Sequence, residues 1–521
     1  MRRTLLKSAI VLVFLAAAVA QAQIETAAVT GGGLRGVVKH GVASFKGIPF
    51  AAPPVGDLRW KAPQPVLPWE GARNADAFGP GPMQNPDFAT LMGNSGPLSE
   101  DCLYLNVWTA AKDTGERRPV MVWIYGGAFV SGLSSLPVYD GTRLAEKGVV
   151  LVSIAYRVGP FGFLAHPELS RESGRGSGCY GLQDQVAALR WVRENIRQFG
   201  GDPHRVTIFG ESAGGISVSM LTVVPAARGL FQRAISESGG SMAPIKTANE
   251  AGENVPALAL AEKEGAEFLQ KLGANDIKSA RALSAQDLQK AVTGFGLFWP
   301  ARDGATLPGD AHVLYEQGKF NDTPILAGFN SDEGAMFVGP GATPESFEVQ
   351  VRTNYGPAAD AILKAYPHAT PAEAFKSSKD IFRETAFAWP TWAWAGLERG
   401  CGTNHAFVYY FDHQTTFSPE GASHAAELGY VFHNLGRFFG APNSDDVALS
   451  DLMNSYWINF ATAGDPNGPG LPAWPAFDGR EMVEKFSGSS SAAEPLPNRE
   501  KIEAFDAYYA WRRDQARRTV K

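Results

Sequence analysis

A serine between glycines is the residue of this sequence with the clearest chemical potential. Ser212 stands in Gly210-Glu211-Ser212-Ala213-Gly214-Gly215, directly after the apolar run Val206–Phe209 and before an apolar, helix-like stretch. A G-x-S-x-G pattern between a strand and a helix is typical of a nucleophile elbow, a turn too tight for large neighbouring side chains. The helix N-terminus adds positive potential at the serine. The pattern predicts a nucleophilic Ser212; the alternative is a glycine-rich turn with a helix-capping serine.

A serine nucleophile needs a histidine base and a carboxylate that orients the histidine. Asp332 and Glu333 follow a later apolar run, so the sequence offers two candidate acids. His424 lies on a loop beyond the next apolar run, and its spacing favours it as the base. His413, closer to the end of that run, is the rival candidate.

A third requirement is a set of backbone NH groups that stabilise an oxyanion. Removing one such donor costs about 3 to 4 kcal/mol of transition-state stabilisation. The segment Tyr125-Gly126-Gly127-Ala128-Phe129 follows an apolar run, and its small residues would let the backbone approach an anion. The NH of Ala213 would lie on the other side. The alternative for this segment is a plain strand-to-helix turn.

Five apolar runs of strand length alternate with helix-like segments. Strands that are apolar on both faces are covered by helices on both sides, as in mostly parallel sheets, whose chemistry lies beyond the carboxyl ends of the strands. We predict an α/β fold with a large, twisted, mostly parallel central sheet flanked by helices, and a helical insertion over residues 249–292 that roofs the site. The runs are Val120–Tyr125, Val149–Ile154, Val206–Phe209, Pro324–Phe329 and Ala406–Phe411.

The first 22 residues differ from the rest of the chain. Arg2, Arg3 and Lys7 precede a short apolar run that closes on Ala20-Gln21-Ala22, the pattern of a cleaved signal peptide. The first residues also resemble a twin-arginine signal, so both export routes stay open. We predict a signal peptide over residues 1–22, one domain over residues 23–521, and export to the periplasm or the medium.

Composition excludes several classes of protein. The 521 residues are 45% hydrophobic and 19% charged, which does not fit a disordered chain or a coiled coil. The 47 basic residues are scattered among 53 acidic ones, so we expect no nucleic-acid partner. No stretch after the signal segment is long and apolar enough for a membrane anchor.

Three minor features have simple interpretations. The three cysteines are an odd number, and we expect them to be buried, small, apolar side chains. The basic run Trp511–Arg518 is interpreted as the solvated end of a terminal helix. The serine-rich stretch 487–493 is interpreted as a surface loop.

The residues around these motifs are specific for one family. Besides the serine turn, the informative segments are Phe45–Gly56 with Arg59, Glu100–Val107, Tyr156–Gly159, Gly181–Gln185 and Trp457–Ala461. Through these segments the chain resembles the type B carboxylesterases, the cholinesterase-like branch of the α/β hydrolases, over nearly its whole length after the signal segment.

The resemblance implies an α/β-hydrolase fold and two-step hydrolysis of a small-molecule carboxylic ester, with no metal or organic cofactor. It implies Ser212 as the nucleophile and His424 as the base. It also implies Glu333, rather than Asp332, as the acid.

The resemblance further implies that the NH groups of Gly127, Ala128 and Ala213 bind the oxyanion. Glu211 would be the buried glutamate beside the nucleophile, and Ser238 would support the acid. These five roles come from the resemblance, not from spacing alone.

The resemblance also implies two structural ion pairs, Arg59 with Glu100 and Arg157 with Asp184. Met92 stands where cholinesterases have a tryptophan that stacks on a quaternary ammonium, which argues against choline esters as substrates. Aromatic residues that would line the substrate gorge, unless they pack in the core, are Tyr125, Phe129, Phe298, Trp299 and Trp389.

Two other functions stay open at this point. One is a serine amidase or peptidase on the same fold, and the other is a non-catalytic, cholinesterase-like binding module. Relatives of the second kind usually lose the serine or the histidine, whereas this chain keeps both. Nothing in the sequence indicates the natural ester or the oligomeric state.

Overall fold

A computed structural model describes residues 23–91, 93, 96–248, 255–293, 298–416, 418–436 and 441–519. The predicted signal peptide, residues 1–22, lies outside the described residues, as does Met92. The interpretations placed on both stay predictions.

Sixteen strands occur in the described part of the chain. They are β1 (Thr26–Val29), β2 (Gly32–Arg35), β3 (Val37–Lys39), β4 (Val42–Pro49), β5 (Ala72–Asn74), β6 (Gly81–Pro82), β7 (Leu98–Ser99), β8 (Tyr104–Thr109), β9 (Arg118–Ile124), β10 (Val150–Ile154), β11 (Gly201–Glu211), β12 (Arg233–Glu237), β13 (Ile325–Asn330), β14 (Ala406–Phe411), β15 (Met482–Ser487) and β16 (Ser490–Pro495).

The same residues form seventeen α-helices. They are α1 (Pro86–Leu91), α2 (Thr142–Glu146), α3 (Gly159–Phe163), α4 (Pro167–Ser173), α5 (Tyr180–Asn195), α6 (Ala213–Val223), α7 (Leu258–Lys271), α8 (Ile277–Ala282), α9 (Ala285–Lys290), α10 (Ala311–Glu316), α11 (Pro344–Tyr355), α12 (Ala359–Ala365), α13 (Pro371–Arg383), α14 (Trp389–Cys401), α15 (Leu428–Val431), α16 (Ser444–Ala463) and α17 (Arg499–Thr519). Short 3₁₀ helices include Glu333–Met336, and a π-helix, Glu384–Ala388, joins α13 to α14.

Eleven of these strands form one large sheet in the order β16-β15-β14-β13-β12-β11-β9-β10-β8-β4-β3. The seven strands from β15 to β10 run parallel to their neighbours, and the strands at both edges pair antiparallel. The sheet is therefore mixed with a parallel centre, and helices flank it, as the α/β prediction requires.

All five predicted strands are present as β9, β10, β11, β13 and β14, with ends shifted by a few residues. Their side chains are almost all buried, which explains the continuous apolar runs. The sequence interpretation missed β12, which lies between β11 and β13. Arg233 and Glu237 form its ends, so only three of its five residues are uncharged and no apolar run of strand length marks it.

Helix α5 illustrates why helices form beside this sheet. Its buried residues Leu182, Val186 and Leu189 recur at helical spacing, so one face of α5 is apolar. The insertion predicted over residues 249–292 is helical where described, and it contains α7, α8 and α9. It packs on the rest of the chain through α7, since a Cβ at Gly265 would collide with the Ala165 carbonyl. Its place above the site stays a prediction.

Three minor interpretations need correction. The stretch 487–493 is not a loop throughout, because it contains the turn of the β15–β16 hairpin and the first four residues of β16, an edge strand that is exposed and can therefore be polar. Cys102 and Cys179 are buried and free, but Cys401 is exposed. In the terminal helix α17, Arg513 is buried and contacts Asp310, so this end of the chain is not wholly solvated.

Candidate active site

The candidate site lies at the carboxyl ends of five adjacent parallel strands. In sheet order these strands are β9, β11, β12, β13 and β14. Because parallel strands end at the same edge of a sheet, the segments that follow them converge there. This edge brings together the loop that carries His424 and the segments that start at residues 125, 212, 238 and 331.

Ser212 occupies the turn between β11 and α6 in a strained conformation. Its φ is 56° and its ψ is −126°, a region that residues with a side chain rarely adopt. A Cβ at Gly214 would collide with the Ile124 carbonyl oxygen, and one at Gly210 would approach the same atom to 2.6 Å. The two glycines therefore let α6 start against β9, and the turn leaves Ser212 half-buried and reachable from solvent.

The loop after β9 presents unused NH groups. Gly127 has a φ of 115°, Ala128 a φ of 52°, and both are half-buried. Within the described ranges, neither NH group donates a hydrogen bond. The NH of Ala213 begins α6 and so has no acceptor inside the helix. These three donors are free to bind an anion.

Tyr125 supports this loop. Its hydroxyl donates to the Tyr156 carbonyl at 2.9 Å, and the Tyr156 hydroxyl donates to the Tyr125 carbonyl at 2.8 Å. The two rings stack with centroids 4.4 Å apart. This reciprocal pair fixes the backbone that leads into Gly127.

Glu333 and His424 form a buried hydrogen-bonded pair. His424 Nδ1 lies 2.6 Å from Glu333 Oε2. The other carboxylate oxygen, Oε1, accepts from the Ser238 hydroxyl at 2.6 Å and from the Asn330 NH at 2.7 Å. Glu333 is fully buried and His424 is 6% exposed, so water cannot compete for these contacts.

The other imidazole nitrogen faces Glu211. His424 Nε2 lies 3.1 Å from Glu211 Oε1, and no hydrogen bond joins it to Ser212 Oγ in the described part of the chain. Burial raises the pKa of Glu211 to about 7. Burial alone would lower the pKa of His424, but the Glu211 and Glu333 carboxylates outweigh it and raise that pKa. The two carboxylates that face the imidazole therefore both favour its protonated form.

Two phenylalanines that sequence interpretation missed contact His424. Phe387 stacks on the imidazole with centroids 4.8 Å apart and an interplanar angle of 16°. Phe337 meets the same ring edge-on at 5.1 Å and is 46% exposed. Phe337 lies four residues after Glu333, a spacing that could have indicated it. Phe387 lies far from the other site residues in sequence, and no local pattern marks it.

The rival candidates occupy other positions. His413 Nε2 lies 2.8 Å from Asp446 Oδ1, so this histidine is engaged elsewhere. Asp332 Oδ2 pairs with Lys379 at 3.0 Å. Neither residue contacts His424 or Ser212 among the described contacts.

The aromatic residues predicted to line the gorge pack mainly in the core. Phe129 is fully buried and packs edge-on against Trp299, while Phe298 packs against Phe268. Trp389 is wrong as a gorge residue, because its indole NH donates to Asp506 and its ring packs on Tyr509 in α17. Tyr125 also has no exposed surface, and its role is the loop support described above.

Both implied ion pairs are present. Arg59 and Glu100 make two hydrogen bonds, of 2.5 and 2.7 Å. Arg157 and Asp184 make two, of 2.7 and 2.8 Å, and are almost fully buried. Neither pair includes a residue of the candidate site.

No group of three or more His, Cys, Asp or Glu side chains in the described ranges is arranged to hold a metal ion. The described helices also include none long and apolar enough to cross a membrane.

Comparison with known proteins gives a consistent set of relatives. A model of the carboxylesterase family matches residues 19–493. Para-nitrobenzyl esterase of Bacillus subtilis (strain 168) is 38% identical over 494 residues, covering 90% of this chain and 96% of that protein. Fumonisin B1 esterase of Sphingopyxis macrogoltabida is 35% identical over 484 residues, covering 88% of this chain and 86% of that protein.

Structural comparison agrees. A solved structure of a PNB esterase superimposes with a TM-score of 0.81 at 36% sequence identity, covering 92% of this chain and 99% of that one. The family match spans most of the chain, and the two relatives, both above 30% identity, are covered over 86% and 96% of their own length. The chain therefore belongs to the carboxylesterase family and is a carboxylic ester hydrolase.

Proposed function

We propose that the protein hydrolyses esters through an acyl-enzyme on Ser212, with His424 as general base and Glu333 as the acid that orients it. The observation that carries this proposal is the buried Glu333–His424 hydrogen bond of 2.6 Å at the same sheet edge as the strained serine turn. A carboxylate on Nδ1 leaves Nε2 as the nitrogen that can accept a proton.

In the proposed first step, Ser212 Oγ attacks the carbonyl carbon of the ester while its proton passes to His424 Nε2. The carbonyl oxygen becomes an oxyanion, which the NH groups of Gly127, Ala128 and Ala213 bind. The C–O bond to the alcohol then breaks, and the proton on Nε2 passes to the leaving oxygen.

In the second step, water attacks the acyl-enzyme and gives its proton to Nε2. The acyl–Oγ bond then breaks, Nε2 returns the proton to Ser212, and the carboxylic acid leaves. The balance is one water consumed for each ester, with no change in oxidation state.

The proposal requires His424 Nε2 to exchange its contact with Glu211 for one with Ser212 Oγ. Catalytic hydrogen bonds often tighten only when substrate binds, so a 3.1 Å contact to Glu211 beforehand is compatible with this exchange. Glu211, whose pKa burial raises to about 7, can take or release a proton as the imidazole changes charge.

Ser212→Ala tests the assignment. With a chromogenic short-chain ester we expect kcat to fall by about 10⁴-fold or more and the acylation burst to disappear. Ser219→Ala, a buried serine of the same helix α6, is the matched control and should retain the burst. If Ser212→Ala kept wild-type turnover, the nucleophile would be another group.

An amide with the same acyl group, assayed beside the ester, separates esterase from amidase function. We expect hydrolysis of the ester and a kcat/KM for the amide that is lower by orders of magnitude.

A further inference from the structure

The residue that closes β13 connects the two loops that carry the proposed acid and base. Asn330 is fully buried, and none of the roles above uses its side chain. Its backbone NH donates to Glu333 Oε1 at 2.7 Å. Its side-chain Nδ2 donates to the Ser423 carbonyl at 2.9 Å, directly before His424 in the chain. One residue thus contacts both the carboxylate and the backbone next to the imidazole.

A buried carboxyl group holds the Asn330 amide in place. Nδ2 also donates to Glu427 Oε2 at 2.5 Å, and Glu427 is fully buried in the turn that follows His424. Nδ2 donates two hydrogen bonds, while the buried Oδ1 has no partner among the described residues. Rotating the amide by 180° would point Oδ1 at two acceptors, so the observed orientation is the favoured one. Ser423 and Glu427 stand on either side of His424 in the chain, so a single amide group contacts the backbone before the imidazole and a buried side chain after it.

The remaining contacts between the two loops lie on one side of Asn330. Asp332 NH donates to the Ala422 carbonyl and Ala422 NH donates to Ser331 Oγ, both at 2.8 Å. These bonds align the loops at residues 331, 332 and 422, two or more residues from His424. An isolated parallel bridge also pairs Asp332 with Ser423. The Asn330 amide is the side-chain group from the acid-carrying loop that contacts both Ser423 and Glu427, one on each side of His424 in the chain.

We propose that Asn330 is a positioning residue for catalysis, which sets the distance and angle between the Glu333 carboxylate and the His424 imidazole through its side-chain amide. This inference rests on the proposed function, because it assumes that His424 is the base. The Glu333–His424 bond is short, and small displacements of catalytic groups cost up to about 10²-fold in rate.

Two substitutions of Asn330 test the role. Asn330→Leu keeps the approximate volume of the side chain and removes both NH donors, while Asn330→Ala removes the donors and leaves a small cavity. Both keep the backbone NH that donates to Glu333. We expect each to lower kcat about 10- to 100-fold with KM within about 3-fold of wild type, because substrate binding does not involve the amide.

The matched control is Asn454, another fully buried asparagine whose Nδ2 donates to a backbone carbonyl, that of Val431, at 2.8 Å. Asn454→Leu should lower the melting temperature to a similar extent as Asn330→Leu while kcat stays near the wild-type value. Equal losses of kcat in Asn330→Leu and Asn454→Leu would contradict a positioning role and would mean that Asn330 only stabilises the fold.

A second measurement does not depend on turnover. The proton between His424 Nδ1 and Glu333 should give a low-field ¹H NMR resonance in wild type, in Ser212→Ala and in Asn454→Leu. We expect it to shift upfield or broaden in Asn330→Leu. An unchanged resonance together with wild-type kcat in Asn330→Leu would overturn the inference about Asn330. If Ser212→Ala is inactive in the same series, the proposed function would still stand.

Discussion

At the scale of single residues, the imidazole of His424 lies between two buried carboxylates, Glu333 and Glu211, that differ in the hydrogen bonds they accept. Glu333 is fully buried and its two oxygens accept three hydrogen bonds. Glu211 has one oxygen, Oε1, that makes no hydrogen bond among the described residues, although it lies 3.1 Å from Nε2. A full charge on Glu211 stabilises the imidazolium, which cannot act as a base. The charge on Glu211 should therefore control the pH at which His424 becomes active.

We expect Glu211→Gln to move the acidic limb of the pH profile of kcat/KM to lower pH by about 1 pH unit or more. Glu211 raises the pKa of His424, so removing its charge lowers that pKa, and the neutral base is then present at lower pH. The profile should be measured with a substrate that does not titrate. Glu420→Gln, an exposed glutamate on the loop of His424, is the control and should leave the limb in place. A limb that stays fixed or moves to higher pH in Glu211→Gln would show that the charge of Glu211 does not raise the pKa of His424.

At the scale of elements, a change of helix type shapes the site. The chain runs through α13, one turn of π-helix over Glu384–Ala388 and then α14. A π-turn inserts an extra residue into a helix and redirects the side chains around it, often at functional sites. Here the redirected residue is Phe387, whose ring is parallel to the imidazole of His424. Trp389, two residues further on, faces α17 instead.

We expect Phe387→Leu to lower kcat about 3- to 10-fold with little change in KM. An aromatic pair contributes about 0.5 to 1.5 kcal/mol beyond its buried area, and a loss of 1.4 kcal/mol in the transition state is tenfold in rate. Steady-state kinetics with the chromogenic ester would measure the effect. Phe387→Tyr keeps a flat ring and should restore most of the rate.

Phe347→Leu is the control for this change. Phe347 is buried in α11, packs on His368 with centroids 5.2 Å apart and has no described contact with His424. The same loss of kcat in both variants would contradict a specific role for the Phe387 ring.

The elements also show what a sequence can and cannot reveal here. The strands β9, β10, β11, β13 and β14 were predictable because burial on both faces leaves uninterrupted apolar runs. Strand β12 was not, because charges at Arg233 and Glu237 interrupt its pattern, although Glu237 is fully buried beside Trp457. Edge strands such as β16 are exposed, so their sequences carry little hydrophobic signal.

Site residues divide in the same way. The serine turn and the position of His424 indicated the nucleophile and the base, and the resemblance to a family chose Glu333 over Asp332 as the acid. The contacts of Asn330 with Ser423 and Glu427, and of Phe387 with His424, join separate segments of the chain, and such contacts leave no local pattern. Aromatic character alone was a poor guide, since Trp389 is fully buried against α17.

At the scale of the whole molecule, a buried ion pair joins the sheet to a helix. Arg157 follows β10, and Asp184 lies in α5. Besides the two side-chain bonds, the Arg157 NH donates to Asp184 Oδ2 at 3.1 Å. Burial raises the pKa of Asp184 against the opposite effect of Arg157, so desolvation offsets much of the attraction between the charges. Such a pair contributes little net stability, but either partner left alone is costly.

We therefore expect Asp184→Asn to lower the free energy of unfolding by about 3 to 5 kcal/mol, because it leaves the Arg157 guanidinium buried without a counter-charge. Urea denaturation would measure the loss, and kcat of the folded fraction should remain within about twofold, since the pair includes no site residue. A double variant, Arg157→Met with Asp184→Leu, should be more stable than Asp184→Asn, as both charges are then absent. Arg352→Gln, which breaks exposed pairs with Glu348 and Asp360, is the surface control and should leave the free energy of unfolding nearly unchanged. A double variant less stable than the single one would mean that the pair itself, rather than the penalty of an unpaired charge, holds α5 against the sheet.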